Sequence, residues 1–167
     1  MRISRKIKEI LPGVSFYAMD LTPAMLLSFA KKKADITLFV GIAENIKGSM
    51  KEARRFFDIP YRFDAVFSTL MLHHNAQPAR VFESFSRVMK KNGRVVVVDL
   101  CEHGFEEFRT EMGDVHLGFK PSEILKMGRE NFEEVRVERL ERIRCESSGR
   151  SAEIFDAVMK KPMQKSC

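Results

Sequence analysis

The stretch from Phe63 to Leu100 limits the possible folds most, because it carries the signals of a strand, a helix and a second strand in that order. Phe63–Ser68 is a short apolar run with a polar end. Pro78 suits the first position of a helix, where a missing N–H costs least, and Asn92-Gly93 suits a left-handed stop. The unbroken Val95–Val98 is typical of a parallel strand covered on both faces. Together these signals predict a βαβ unit, in which ligands bind at the carboxyl ends of the strands.

A similar pattern occurs nearer the start of the chain. Val14–Met19 has the composition of a strand and is followed by Asp20. Thr22 and Pro23 can cap and start a helix, and Ile36–Val40 is the next apolar strand. An acidic side chain at such a strand end can accept both hydroxyls of a ribose. Asp20 is therefore a candidate ribose ligand, and the alternative is a carboxylate that only caps the local turn.

The last third of the chain predicts one helix and two paired strands. Pro121 starts the helix, and Glu133–Cys145 and Ala152–Met159 have the composition of strands. Residues 147–150 form a glycine-containing turn, which lets these strands pair as an antiparallel hairpin. The expected architecture is an α/β sheet with helices on both faces and this hairpin at one edge.

Four segments in a fixed order give the sequence a family resemblance. They are Phe16–Leu26, Phe63–Ser68 with Leu72–His74, Arg87–Gly93, and Glu111–Phe119. From Pro12 to Lys160 the chain resembles a class I S-adenosylmethionine-dependent methyltransferase, of the group that includes the ubiquinone/menaquinone-biosynthesis type. The fourth segment resembles one found in methyltransferases fused to, or related to, small metal-responsive repressors. The resemblance implies a Rossmann-like methyltransferase sheet that ends in an antiparallel hairpin.

The resemblance also implies S-adenosyl-L-methionine as cofactor and a small-molecule substrate. His73 and His74 are the catalytic candidates, because histidine titrates near neutrality and could orient or deprotonate an acceptor. A purely structural role for either histidine is the alternative. Ser68 and Thr69 are expected beside the sulfonium end of the cofactor. The cofactor-binding candidates are Asp20, Leu21, Ala43, Glu44, Ser68 and Thr69, and further candidates on the substrate side are Asp99, His103 and His116.

Two features depart from the resembled family. Its members begin with a strand and a glycine-rich turn that hold the methionine part of the cofactor, whereas this chain starts inside what has the pattern of the following helix, 2–11. Ile42 stands where relatives carry an acidic residue that holds the adenine amino group. We therefore expect a sheet that lacks its first strand, and weak or absent binding of S-adenosyl-L-methionine by this chain.

The absent strand has a consequence for association. In the family's sheet it lies between the strand that ends at Asp20 and the strand that ends at Ser68. Unpaired strand edges are templates for pairing with another chain. We therefore expect a homo-oligomer or a complementing chain. The expected domain, 1–160, is N-terminally incomplete, and 161–167 form a polar tail.

The charge pattern argues against nucleic acid as a partner. The net charge is +6, but the basic residues are spread along the chain. In the segment 134–146 arginines alternate with glutamates, which indicates a solvated, charge-paired face rather than a phosphate track.

No apolar run is long enough to span a bilayer, and the basic start is not followed by the apolar region of a signal peptide. We expect a cytoplasmic protein without membrane attachment.

The cysteines and histidines predict neither disulfides nor a metal site. The three cysteines are too few and too scattered for a disulfide framework. The four histidines lack zinc-ligand spacing, and the adjacent His73 and His74 are expected to point in different directions.

Two functional classes stay open at this point. One is an S-adenosylmethionine-dependent methyltransferase, and the other is a non-catalytic α/β protein descended from one that acts through association.

Overall fold

The computed structural model of the chain describes residues 13–30, 36–147 and 149–163. The chain divides into two units, the first ending at Tyr61 and the second beginning at Arg62. The expected helix over 2–11 and the last four residues of the expected polar tail lie outside the described residues. None of the described helices is long and apolar enough to cross a bilayer.

The first unit contains two parallel strands and the helices that connect and follow them. β1 and β2 pair in register from Phe16 opposite Ile36 to Asp20 opposite Val40. The side chain of Asn45 caps α2, because its Oδ1 accepts a hydrogen bond from the Gly48 N–H at 3.1 Å. The elements are β1 (Phe16–Asp20), α1 (Pro23–Ala30), β2 (Ile36–Val40), a 3-10 turn (Ala43–Asn45) and α2 (Ile46–Ala53).

The second unit is built on a four-stranded sheet with the order β3-β4-β6-β5. β3 pairs parallel with β4, whereas β6 pairs antiparallel with both β4 and β5. The predicted βαβ unit and the terminal hairpin are therefore confirmed. The elements are β3 (Phe63–Thr69), a 3-10 turn (Leu72–His74), α3 (Pro78–Val88), β4 (Met89–Leu100), a π-helical turn (Phe108–Met112), α4 (Pro121–Arg129), β5 (Glu134–Ser147) and β6 (Arg150–Lys160).

β4 begins earlier than the sequence pattern predicts. The strand starts at Met89, and the register with β3 shifts from Phe63–Met89 to Ala65–Arg94. Asn92 takes the left-handed conformation with φ 59° inside the resulting bulge. The predicted left-handed residue is thus present, but it lies within the strand rather than before it.

The core of the second unit lies between its sheet and its helices. Phe82 of α3, Ile124 of α4 and Phe155 of β6 are fully buried. α4 packs on β5, and β4 buries Val95 and Val97 on one face. Each such side chain contributes about 1.5–3 kcal/mol when it leaves water. Within the described ranges β1 pairs only with β2, and β3 pairs only with β4.

Candidate functional site

Four of the predicted cofactor residues lie in the first unit, at the carboxyl ends of its two strands. Asp20 ends β1 opposite Val40 of β2, and the Gly41 N–H donates to the Asp20 carbonyl at 3.1 Å. Leu21 follows immediately and is 67% exposed. Ala43 and Glu44 form the 3-10 turn after β2 and are half-buried. The parallel pairing of β1 and β2 therefore places all four residues at one edge of this sheet.

Asp20 combines a local structural role with spare acceptor capacity. Its Oδ1 accepts a hydrogen bond from the Thr22 N–H at 2.8 Å, at the start of α1. The side chain is half-buried, and Oδ2 has no hydrogen bond from the described residues. The two alternatives for Asp20 are thus compatible, because one oxygen holds the turn while the other can accept from a ligand hydroxyl. A carboxylate oxygen with free lone pairs is the kind of acceptor that ribose hydroxyls can donate to.

Ile42 offers no side-chain acceptor beside this edge. Its side chain is 44% exposed, and its N–H donates to the Ser49 hydroxyl at 3.1 Å. The Asn45 carboxamide oxygen already accepts from Gly48. Ile42 therefore presents an apolar side chain at the position where relatives carry a carboxylate that holds the adenine amino group.

The end of β3 in the second unit carries Ser68 and Thr69. Ser68 is 8% exposed, and its hydroxyl has no hydrogen-bond partner in the part of the chain that the structure describes. Thr69 is exposed. Leu70 then adopts a left-handed φ of 49° while its N–H donates to the Val98 carbonyl at 2.9 Å. Such a conformation costs a bulky residue on the order of 1–3 kcal/mol and persists only where neighbouring contacts enforce it.

Asp99 supplies those contacts. The side chain is completely buried, and its Oδ2 accepts from the N–H groups of Met71 and Leu72 at 3.0 and 2.8 Å. Its Oδ1 accepts from the Leu100 N–H at 2.9 Å and lies 2.5 Å from His73 Nδ1. Asp99 therefore fixes the turn after β3 and does not line an open substrate surface.

The two catalytic candidates differ in exposure. The side chain of His73 is 6% exposed, and its carbonyl accepts from the N–H groups of Val115 and His116 at 3.1 and 2.9 Å. The side chain of His74 is 42% exposed, with Nδ1 3.4 Å from the Gly113 carbonyl. His73 is thus held on several sides, and His74 is the histidine of the pair that solvent reaches.

Asp114 is a site residue that sequence reasoning missed. Its Oδ1 lies 3.6 Å from His73 Nε2 and 3.6 Å from His74 Nδ1. The adjacent histidines were expected to diverge, but one ring nitrogen of each approaches this carboxylate. The contact spans about forty residues of sequence, and no spacing rule connects its members. The only signal was that Asp114 belongs to the segment Glu111–Phe119, one of the four that carry the resemblance.

An open groove of about 710 Å³ adjoins the second unit's loops. His103 lies on it, with Nδ1 accepting from the Phe105 N–H at 3.2 Å and Nε2 buried without a partner among described residues. Burial lowers the pKa of His103, the charge of Asp114 opposes this, and His73 adds to it. His116 also lines the groove, with Nε2 3.0 Å from the Asn75 carbonyl. Other lining residues are Pro78, Glu102, Arg109, Phe119, Glu123 and Lys126.

The fold agrees with comparisons to known proteins. The model of the methyltransferase domain family matches residues 3–97, which is more than half of the chain. A search of curated proteins found no match. The structure is similar to that of YcgJ from Bacillus subtilis, with 15% identity over 89% of this chain and 83% of that chain, and a TM-score of 0.62.

Two further solved structures are similar in fold. One is a Haloferax volcanii protein in complex with the Trm112 methyltransferase activator, at 14% identity over 97% of this chain and 79% of that chain, with a TM-score of 0.69. The other is Haemonchus contortus phosphoethanolamine N-methyltransferase 2 in complex with S-adenosyl-L-methionine, at 15% identity over 96% of this chain and 46% of that chain, with a TM-score of 0.67. The chain belongs to the methyltransferase domain family.

Proposed function

We propose that the chain transfers a methyl group from S-adenosyl-L-methionine to a small-molecule acceptor, and that Asp20 accepts the ribose hydroxyls of the cofactor. The observation that carries the proposal is the Asp20 carboxylate at the carboxyl end of β1. Its Oδ1 accepts from Thr22, and its half-buried side chain keeps lone pairs for a ligand. A hydrogen bond to a charged acceptor contributes about 1.5–3 kcal/mol.

The residues beside Asp20 support the same assignment. Leu21 is 67% exposed although it is apolar, and Ile42 is 44% exposed. These side chains suit packing against the flat faces of an adenosine. Ala43 and Glu44 stay predictions of cofactor contact, as do Ser68 and Thr69 in the second unit. S-adenosyl-L-methionine supplies an electrophilic methyl group when it is bound.

His74 is the better of the two candidates for handling the acceptor's proton. His73 is buried against Asp99, so we assign it a positioning role. His74 has a half-exposed ring, and its Nδ1 faces the Gly113 carbonyl at 3.4 Å. A neutral imidazole that solvent reaches can accept a proton from an acceptor hydroxyl, thiol or ammonium group. The groove of about 710 Å³, which His103 and His116 line and His74 does not, has a volume in the range of small-molecule sites, which are typically about 300–1,000 Å³.

The cofactor assignment is tested by calorimetric titration with S-adenosylhomocysteine, at ligand concentrations high enough to measure the weak binding that the sequence predicts for this chain. Asp20→Asn should weaken binding by about 10- to 150-fold, since about 1.4 kcal/mol corresponds to a factor of ten. Asp58→Asn is the matched control, because Asp58 is an exposed aspartate of the same unit. Unchanged affinity in Asp20→Asn, with its circular dichroism spectrum intact, would overturn the ribose role.

The acceptor role is tested with methyl-labelled S-adenosyl-L-methionine and a panel of small phenols, thiols and amines. For any acceptor that is methylated, His74→Ala should lower kcat by about 10²- to 10⁴-fold, which is the usual contribution of a general base. The affinity for S-adenosylhomocysteine should stay within a factor of about two. Full activity in His74→Ala would remove His74 from the mechanism.

We also propose that β3 pairs, along the edge away from β4, with a strand of another chain. Phe67 of β3 is 41% exposed, and within the described ranges β3 pairs only with β4. The Haloferax protein with a similar fold was solved with an activator, which supports hetero-association. Sedimentation should reveal a dimer or larger species at tens of micromolar, and Phe67→Lys should dissociate it. A monomer at all concentrations would exclude pairing between copies of this chain and leave only pairing with a different chain.

A cytoplasmic location remains part of the proposal. Cys101 and Cys145 are free thiols, and burial raises the pKa of each, so both are poor nucleophiles. Unpaired cysteines are usual in reducing compartments. Fractionation of cells that express the chain with a small epitope tag tests this directly, and recovery outside the cytoplasm would contradict it.

A further inference from the structure

We propose that His73, His74 and Asp114 bind a divalent transition-metal ion of the zinc type. The three residues each offer one ligand atom, and these atoms lie within 4.8 Å of one another. Two imidazole nitrogens and one carboxylate oxygen form a donor set that suits zinc, cobalt, nickel and iron rather than magnesium or calcium. The site lies wholly within the second unit and does not depend on the proposed methyl transfer. While an ion is bound, the His74 ring is a ligand and cannot also act as the general base.

The separations between the donor atoms are close to those around a bound ion. Asp114 Oδ1 lies 3.6 Å from His73 Nε2 and 3.6 Å from His74 Nδ1. Ligands about 2.0–2.1 Å from a tetrahedral zinc ion lie about 3.3–3.4 Å from each other. All three ligand atoms lie within 4.8 Å of one another, so the two imidazole rings would have to rotate toward a common point for the ion to contact all three.

Asp114 provides an independent reason to expect a cation. Its side chain is 1% exposed, and neither of its oxygens has a hydrogen-bond partner among described residues. A buried carboxylate without partners is strongly unfavourable, because it loses its hydration and gains nothing in exchange. One nitrogen of each imidazole ring lies 3.6 Å from Asp114 Oδ1, beyond hydrogen-bond distance, and an imidazole nitrogen is a common metal ligand. A bound divalent ion would supply the missing charge.

His73 already has the outer partner that metal-binding histidines usually have. Its Nδ1 lies 2.5 Å from Asp99 Oδ1, and the same carboxylate accepts from the Met71 and Leu72 N–H groups. A carboxylate on one ring nitrogen fixes the tautomer and leaves the other nitrogen free to bind a metal. In this arrangement Nε2 is the nitrogen left free, and it is the one that faces Asp114.

His74 determines how the ion enters. Its side chain is 42% exposed, so solvent reaches the cluster along this ring. Its Nδ1 also lies 3.4 Å from the Gly113 carbonyl, and metal binding requires that the ring proton move to Nε2. Three protein ligands leave one position for water or an acceptor oxygen, which is the pattern of catalytic rather than structural zinc sites.

The test uses the full chain without a histidine tag, freed of metals by dialysis against a chelator. Zn²⁺ is titrated in competition with a chromophoric chelator, and Co²⁺ binding is followed by its visible absorption. We expect one ion per chain with a dissociation constant in the micromolar range or below. Asp114→Asn and His74→Ala should each weaken binding by at least about 100-fold and change the Co²⁺ spectrum.

Two controls separate this site from other ligands. His116→Gln removes a histidine whose Nε2 contacts the Asn75 carbonyl and lies outside the cluster, and it should leave affinity unchanged. Replacing Cys101 and Cys145 by serine should also leave it unchanged. His74→Ala affects a half-exposed ring, so it keeps the test valid if Asp114→Asn fails to fold. Absence of stoichiometric binding, unchanged affinity in His74→Ala, or loss of binding in the cysteine variant would overturn the proposal.

Discussion

Two aspartates end parallel strands of this protein, and their surroundings are very different. Asp20 is the last residue of β1 and is half-buried, and its Oδ1 accepts a single hydrogen bond, from the Thr22 N–H. Asp99 lies near the end of β4 completely buried, with three backbone N–H groups and the His73 ring against its two oxygens. Both positions belong to the edge where α/β sheets bind ligands. Only Asp20 retains acceptor capacity.

The difference teaches that position at a strand end does not by itself assign a carboxylate to a ligand. A carboxylate has about four lone-pair sites. When backbone donors occupy them, the group orders the loop that it touches, as Asp99 does after β3. When one donor occupies one oxygen, as at Asp20, the remaining sites can bind a ligand. Hydrogen-bond occupancy therefore separates the two roles.

The largest expected effect is the loss of stability in Asp99→Asn. The new NH₂ group would face the N–H groups of Met71 and Leu72 or the His73 ring, so at least one buried donor would lose its acceptor. The free energy of unfolding should fall by about 2–5 kcal/mol, measured by urea denaturation. Asp20→Asn should change it by less than about 1 kcal/mol, because an Asn oxygen can still accept from Thr22. Equal losses in both variants would break the comparison.

The next effect concerns pH and His103. Burial lowers the pKa of His103 below its ordinary value of 6.5, so the unfolded chain binds more protons than the folded chain below that pH. The contribution of His103 to stability is therefore complete above the ordinary pKa and falls as the pH drops through it toward the lower folded value. Urea denaturation between about pH 7.5 and pH 5 should show a shallower decline in His103→Gln.

His116→Gln is the reference for that measurement, since His116 is another histidine of the same groove. The nearby Asp114 and His73 also affect the charge of His103 and are left intact in both variants. If the free energy of unfolding falls equally with pH in the natural chain and in His103→Gln, the titration of His103 does not contribute to the pH dependence of stability.

A smaller effect is expected at Leu70, which the Asp99-held turn keeps in the left-handed region at φ 49°. Asparagine tolerates this conformation better than leucine does, and the Leu70 side chain is 42% exposed, so little packing is lost. Leu70→Asn should leave stability unchanged or raise it by up to about 1 kcal/mol in thermal unfolding. A loss above about 1 kcal/mol would show that the Leu70 side chain, not the backbone, dominates at this position.

The smallest effect is expected for a third aspartate, Asp64, near the start of β3. Its carboxylate is 84% exposed and pairs with Lys90 Nζ at 2.8 Å. Solvent screens such a pair, so Asp64→Asn should change the free energy of unfolding by less than about 0.5 kcal/mol. It should leave binding of S-adenosylhomocysteine unaltered. A larger change in the free energy of unfolding would mean that the exposure of Asp64 does not by itself explain why Asp99→Asn is the more destabilising substitution.

The second-unit fold was readable from sequence because its signals are local. The valine run, Pro78 and the glycine-containing turn at 147–150 predicted β4, α3 and the hairpin. The bulge at Asn92 was not predicted, since register depends on pairing with β3. The expected single domain, 1–160, stays a prediction beside the two units that the structure distinguishes.

For the candidate site, the sequence predicted where some residues lie but not whether they bind a ligand, and it did so only at strand ends. Asp20 and the residues after β2 were predicted because parallel strands bring their carboxyl ends to one edge. The contacts of Asp99 and Asp114 join residues far apart in sequence, so no local sequence pattern predicted them. The same limit applies to the histidines, whose divergence was inferred from adjacency alone. Their approach to one carboxylate depends on the turn that Asp99 holds.

The most direct measurement of the central claim compares two ligands in two proteins. S-adenosylhomocysteine and its analogue without the ribose 2′ and 3′ hydroxyls are titrated into the natural chain and into Asp20→Asn. In the natural chain the analogue should bind about 10- to 150-fold more weakly, because Asp20 loses the hydroxyls that donate to it. In Asp20→Asn the two ligands should differ by less than about 3-fold, so that the two changes couple. An equal loss in both proteins would mean that Asp20 does not bind the ribose.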